Sequence, residues 1–208
     1  LRVFNIPLAS RTSRGRPLVN ILPLEENERI TSMLPIREYT EGYFIFMATS
    51  QGTVKKTPLE NFSRPRSVGL GRTARGVRGI RLAAGHRMIA LIIPEADKQV
   101  LTVSENGYGK RTDTTEFPVY GRGGQGVIGM QTSDRNGALV GAVQVGDGDQ
   151  IMMISDRGTL VRTRVDEVSV LSRNTQGVRL IKLKTDETLV GVEQVADAEG
   201  VTAEEVEA

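Results

Sequence analysis

The sequence predicts an all-β fold built from blade-like repeats, and three observations carry that reading. An apolar strand, a glycine turn and a basic strand follow one another three times, in residues 43–57, 100–112 and 151–163. Their turn glycines, Gly52, Gly107 and Gly158, stand 55 and 51 residues apart. Two further markers keep step with these hairpins. A glycine opening an apolar segment recurs at Gly15, Gly76, Gly126 and Gly177, and a short apolar run recurs at 30–34, 88–92, 139–143 and 189–192. The runs are rich in Val, Ile and Thr, Gly, Asn and Asp punctuate them, and no long window has helical period.

Each unit of about 50 residues therefore holds some four short strands, the size of a propeller blade. With no Trp in the chain, the signatures of the WD40 and kelch blades are missing. A single blade cannot bury both of its faces, so neighbouring blades must stack. The first blade reads as truncated. Near 62–73 the end of one blade runs directly into the late part of another, so about one repeat is expected to be missing there. Residues 1–195 are read as the repeats of one domain and 196–208 as an acidic tail.

Composition removes several classes of function. There is no Cys and one His, which excludes disulfide frameworks, thiolate zinc sites, Cys nucleophiles and His-based metal centres. No apolar run approaches the roughly 18 residues of a membrane span, so no membrane partner is expected. The chain opens on Leu1 and is expected to be part of something longer. The tail carries Asp197, Glu199, Glu204, Glu205 and Glu207 and no base, leaving 27 basic against 20 acidic groups in the first 195 residues. On a flexible end, those acids are expected to compete with an anionic partner for the basic body.

The positions of the basic residues say more than their number. Four residues after the turn glycine stand Lys56, Arg111 and Arg162, and three after it Lys55, Lys110 and then Val161. Arg164 follows on the third hairpin, and Arg75, Arg78, Arg122, Arg173 and Arg179 cluster around the second marker. Charges repeated at fixed blade positions form a stripe around a rim, which suits a bent phosphate backbone better than a small ligand. The plainer alternative is that edge strands favour Lys and Arg for solubility.

Other constellations resolve into turns. Residues 121–126, Gly-Arg-Gly-Gly-Gln-Gly, satisfy the dinucleotide pattern G-x-G-x-x-G, but a strand follows them where that pattern needs a helix. Tyr108 beside Lys110 and Arg111 resembles an activated phenol, yet Thr53 and Thr159 hold its place in the other hairpins, which reads as a turn position. Asp147 and Asp149 lack the offsets of a calcium loop and suit a turn before the strand at Ile151. His86 reads as a surface or turn residue. No catalytic constellation and no bound cofactor are expected.

The segments 52–57, 105–112, 150–164 and 173–178, with 9–20 at the start, resemble the C-terminal domain of the bacterial DNA gyrase A protein over nearly the whole chain. That resemblance implies a β-pinwheel, a propeller-like ring of four-stranded blades whose rim binds, bends and wraps double-stranded DNA without sequence preference. It implies as partners the remainder of the gyrase A protein and the gyrase B protein, and a cytoplasmic, nucleoid-associated setting. ATP and magnesium would belong to the holoenzyme, an ATP-dependent type II topoisomerase that supercoils DNA negatively, and not to this part. The sequence departs from the family at its Gln-Arg-Arg-Gly-Gly-basic-Gly box, of which residues 120–126 keep only Arg122, Gly123, Gly124 and Gly126. The C-terminal domain of topoisomerase IV and a propeller that binds a protein partner stand as alternatives. The paucity of aromatics disfavours a platform for single strands.

Overall fold

The computed structural model describes residues 6–17, 20, 22, 24, 26–63 and 76–195. The chain divides into two units, residues 1–30 with 64–77 and residues 31–63 with 78–208. The described residues of the first unit form turns and loops. One turn is closed by Ser10 and Ser13, whose hydroxyls lie 2.7 Å apart while the Ser13 N–H donates to the Ser10 carbonyl.

Among the described residues of the second unit are three hairpins, each placed where an apolar run meets a turn glycine. They are β1 (Phe44–Thr49) with β2 (Thr53–Pro58), β4 (Gln99–Ser104) with β5 (Tyr108–Asp113), and β8 (Gln150–Ser155) with β9 (Leu160–Arg164). Gly52, Gly107 and Gly158 take φ of +75°, +79° and +79°, a left-handed conformation that a Cβ disfavours and a tight reversal requires. One turn of 3-10 helix follows each hairpin, at Leu59–Phe62, Thr114–Glu116 and Val165–Glu167.

The remaining strands complete sheets that they do not adjoin in sequence. β3 (Met88–Ile92), β7 (Leu139–Val145) and β11 (Leu189–Val195) each pair with the first strand of the hairpin before them. The two-residue strands β6 (Val127–Ile128) and β10 (Val178–Arg179) reach back one repeat further, to β2 and β5. The sheet orders are therefore β3-β1-β2-β6, β10-β5-β4-β7 and β11-β8-β9. Four-stranded blades hold for the first two sheets. The third has three strands, because no segment of the β6 type follows β11 among the described residues. The exchange is fastened at the turn glycines. The Gly52 carbonyl accepts the N–H groups of Gly129 and Met130 at 2.8 and 3.2 Å, and the Gly107 carbonyl those of Leu180 and Ile181 at the same two distances.

Period-2 alternation places the core between the sheets. On β1, Phe46 and Ala48 face the second sheet and meet Val100, Phe117 and Ala142, with the Phe46 and Phe117 rings edge-to-face at 4.9 Å. Ile45 and Met47 point the other way, onto Leu59 and Ile80. On β4, Leu101 and Val103 face the third sheet and join Ile151, Met153 and Leu189. Covered on both faces, Val100–Ser104 is a continuous buried run, whereas β9 alternates exposed and half-buried residues. Of the expectations above, the joint near 62–73 from residue 64 onward, Arg75 and the acidic tail at 196–208 lie outside the described residues.

Candidate nucleic-acid interface

The hairpin cations divide by position. Lys55 and Lys110 have no exposed surface. The Lys55 Nζ donates to the Gly79 carbonyl at 2.7 Å, and the Lys110 Nζ donates to the carbonyls of Ser172 and Arg173 at 2.6 Å each. Burial holds both ammonium groups below the ordinary lysine value. For Lys110 the value falls to about 8, with Glu116 opposing the shift and Arg173 adding to it. One residue further on, the Lys56 Nζ donates to the Thr114 carbonyl at 3.0 Å and lies 4.6 Å from the centre of the Phe44 ring. Its ammonium is also lowered by burial, against the pull of Asp113. Arg111 is buried, with its Nε donating to the Val168 carbonyl at 2.8 Å and Asp147 3.4 Å from its guanidinium. These four charged ends satisfy the protein's own carbonyls. Loops that pass over the first two sheets turn carbonyls toward them, and a long basic side chain can bury its stem and still supply a donor.

The other sequence-derived positions are on or near the surface. Arg78, Arg122, Arg162, Arg164 and Arg179 are exposed and Arg173 is half-buried. Arg162 and Arg164 are on β9, the outermost strand of the third sheet among the described residues, with Arg164 lying 3.1 Å from Asp166. Arg122 stands with its guanidinium carbon 5.9 Å from the Phe62 ring centre. The Arg173 guanidinium donates to the Ile128 carbonyl at 3.0 Å and, with Arg81 and His86, lines an open cleft of 480 Å³ along Thr49, Thr53 and Gly126. The turn reading of residues 121–126 fits the left-handed Gly123 and Gly126.

One regularity links these loops. The fourth residue before each marker glycine is an arginine, namely Arg11, Arg72, Arg122 and Arg173. Arg11 and Arg122 are exposed, and Arg72 lies outside the described residues. A count from the marker glycine rather than from the hairpin would have found it. Arg135 was not singled out from the sequence, since it stands in a loop before β7 with no counterpart at that offset in the other repeats.

Tyr108 begins β5 and is buried, and its hydroxyl accepts a hydrogen bond from Arg179 at 2.9 Å. Asp149 closes a turn, accepting from the Gly146 N–H and from the Gln194 side chain at 2.7 Å each. His86 is half-buried at the approach to β3, its N–H donating to the Ala83 carbonyl. Among the described residues no three His, Cys, Asp or Glu side chains cluster as metal ligands would, and no helix is long and apolar enough to cross a membrane.

Interleaved antiparallel sheets of this kind, with arginine loops repeated from one to the next, define a propeller-like repeat domain with a basic surface. The family described as "DNA gyrase C-terminal domain, beta-propeller" matches residues 1–37, 43–95, 98–145 and 149–196. The chain belongs to that family. The DNA gyrase A protein of Salmonella typhimurium is 49% identical over an alignment of 251 positions that takes in the entire chain and 28% of that protein. The DNA gyrase A protein of Pseudomonas aeruginosa is 46% identical, with 96% of the chain and 31% of that protein covered. The chain thus spans about three-tenths of these relatives. Among solved structures, a DNA gyrase A C-terminal domain superposes with a TM-score of 0.58 at 20% identity, covering 88% of this chain and 76% of the other. A topoisomerase IV C-terminal domain superposes with a TM-score of 0.57 at 19% identity, covering 87% and 70%. At these identities the likeness is one of fold.

Proposed function

We propose that the chain binds and bends double-stranded DNA without sequence preference, as the wrapping domain of a gyrase A protein. The recurring arginine before each marker glycine supports this most directly. It sets Arg11, Arg122 and Arg173 on loops, joined by exposed Arg78, Arg162, Arg164 and Arg179. Contacts of this kind meet phosphates and position a duplex without reading its bases. On this reading Lys55, Lys56, Lys110 and Arg111 act from within, holding the loops that present the arginines. The rest of the gyrase A protein and the gyrase B protein would be the partners in a cytoplasmic, nucleoid-associated holoenzyme. Strand cleavage, ATP and magnesium would lie outside this part. The curated relatives above, both of them gyrase A proteins, favour this over the equivalent domain of topoisomerase IV, to which the likeness is of fold alone.

The test is a salt titration of duplex affinity. Each phosphate contact contributes a slope of about −0.9 in log affinity against log salt, so R122A/R162A/R164A should flatten the plot by about 2.7, equally on unrelated sequences. An unchanged slope with the fold intact would make these arginines ordinary surface charges.

A further inference from the structure

Beyond the repeating arginines, the second sheet carries a feature that the first and third lack. Tyr108 lies in register opposite Arg179 of β10, and the guanidinium carbons of Arg135 and Arg179 stand 4.9 and 5.4 Å from its ring centre. The two charges are therefore no more than about 10 Å apart. Both arginines are exposed, and among the described residues neither has a carboxylate within ion-pair distance. Two like charges are thus held close together with no counter-ion among the described residues. Thr53 and Thr159 stand where Tyr108 does in the other hairpins, and Ile128 stands where Arg179 does on β6.

The geometry is fixed before any ligand arrives. Arg179 is tied to the phenol oxygen at 2.9 Å. The loop bearing Arg135 is pinned by Asn106, whose side-chain amide donates to the carbonyls of Asp134 and Arg135 at 3.2 Å each. It is pinned again by fully buried Asn136, which donates to the carbonyls of Gln131 and Gln176 and accepts from the Ser133 N–H. Arg135 itself reaches the Gln176 side chain at 3.4 Å. An arginine stacked on a ring loses less freedom on binding than one that swings in solvent.

We propose that Arg135 and Arg179 form a phosphate clamp that engages neighbouring phosphates of one strand of a DNA duplex, with Tyr108 as the positioning residue between them. The proposal rests on the duplex-binding reading above and names a site within it. Successive phosphates of one strand advance by only about 3.4 Å along the duplex axis, so two cations at this separation can serve one short stretch of backbone. The phenol already feels both cations. Its pKa is held below the usual tyrosine value, first by the hydrogen bond from Arg179 and then by the nearby guanidinium of Arg135.

The experiment uses the 208-residue chain and a fluorescent duplex of mixed sequence, with R135A/R179A, Y108T and Y108F beside wild type. The double variant should flatten the salt plot by about 1.8, so that the affinity lost over a tenfold rise in salt shrinks by about 60-fold. Y108T installs the residue that the other hairpins carry and should lose at least half of that slope change, whereas Y108F, which keeps the ring, should lose less. Tyrosinate absorbance, taken as the difference between wild type and Y108F, should move to higher pH when duplex is added, because phosphates neutralise the two guanidiniums. A role confined to stability would lower the melting temperature of Y108T while its slope stayed at the wild-type value, and duplex would leave the titration of the wild-type phenol where it was. If wild type binds duplex while R135A/R179A keeps its slope, the clamp is refuted and the wider reading stands. If wild type binds no duplex, the reading on which the clamp rests fails.

Discussion

Replacing Lys110 with Met separates a cation that builds the fold from one that touches DNA. Methionine preserves the buried stem and removes the Nζ that serves the carbonyls of Ser172 and Arg173. The Ser172 carbonyl keeps a second donor, the Thr175 hydroxyl at 3.1 Å, so it is the Arg173 carbonyl that loses its partner, at a cost of about 1–3 kcal/mol. Relief from burying an ammonium offsets part of this, and we expect a net loss of about 1 kcal/mol. For a chain of this length that lowers the melting temperature by about 2–4 °C. The pH dependence gives a second reading. Lys110 releases its proton at about 8 in the folded protein, against an ordinary value of 10.5. Between those values the unfolded chain binds more protons, so this group's contribution to stability rises with pH. The neutral amine keeps two N–H bonds, one for each carbonyl. Thermal melts followed by circular dichroism at pH 7 and pH 10 should therefore show the gap between wild type and K110M widening at the higher pH. The duplex-binding salt slope should stay at its wild-type value. Melting that matches wild type at both pH values, with a slope flattened by about 0.9, would refute this reasoning and make Lys110 a phosphate contact.

Glu187, buried before β11, has its pKa pushed down to about 2 by hydrogen bonds from Ser155, Thr159 and the Lys184 N–H. Its stabilisation is complete above about 4.5 and is lost as pH falls toward 2. E187Q should therefore melt below wild type at pH 7 and close to it near pH 2, and a gap that persists in acid would exclude the carboxylate as its source. Gly107 and Gly158 share φ of +79°, but only at Gly107 would a Cβ meet a neighbour, the Ile181 carbonyl oxygen at 2.6 Å. G107A should thus melt several degrees below G158A, since both carry the backbone strain of about 1–3 kcal/mol and only one adds a clash. Equal melting temperatures would mean that the approach of the next repeat at Gly107 is slack.

The hairpins were legible because each carries its own signals locally: an apolar run, a turn glycine and β-branched residues within fifteen positions. The exchanged strands were not. β6 and β10 are two residues long, too short for alternation to show, and their partners lie about seventy residues away. The interior role of Lys55 and Lys110 was hidden for another reason, since charge says nothing about which way a long side chain runs. A trace of it stood in the third hairpin, where Val161 replaces lysine. Among the described residues its sheet has no fourth strand and no loop carbonyl meets that position, so an apolar residue serves there. The arginines of the marker loops could be read from the sequence, but Arg135 could not, because its partnership with Tyr108 arises only once two repeats interleave.

That interleaving sets a timetable for synthesis. β2 can pair with β1 as soon as residue 58 has left the ribosome, yet its other edge waits for β6 at Val127–Ile128. β5 waits in the same way for β10. At translation rates of about 5–20 residues per second, a delay of about seventy residues lasts between about 4 and 14 seconds. Throughout that interval the nascent chain offers a row of open N–H and carbonyl groups to any other extended segment nearby. Among the described residues, β9 remains in the condition that β2 and β5 pass through. Arg162 and Arg164, spaced along its exposed side, set like charges against each other whenever two such edges approach, so the same arginines that would meet a phosphate also keep the newborn chains apart.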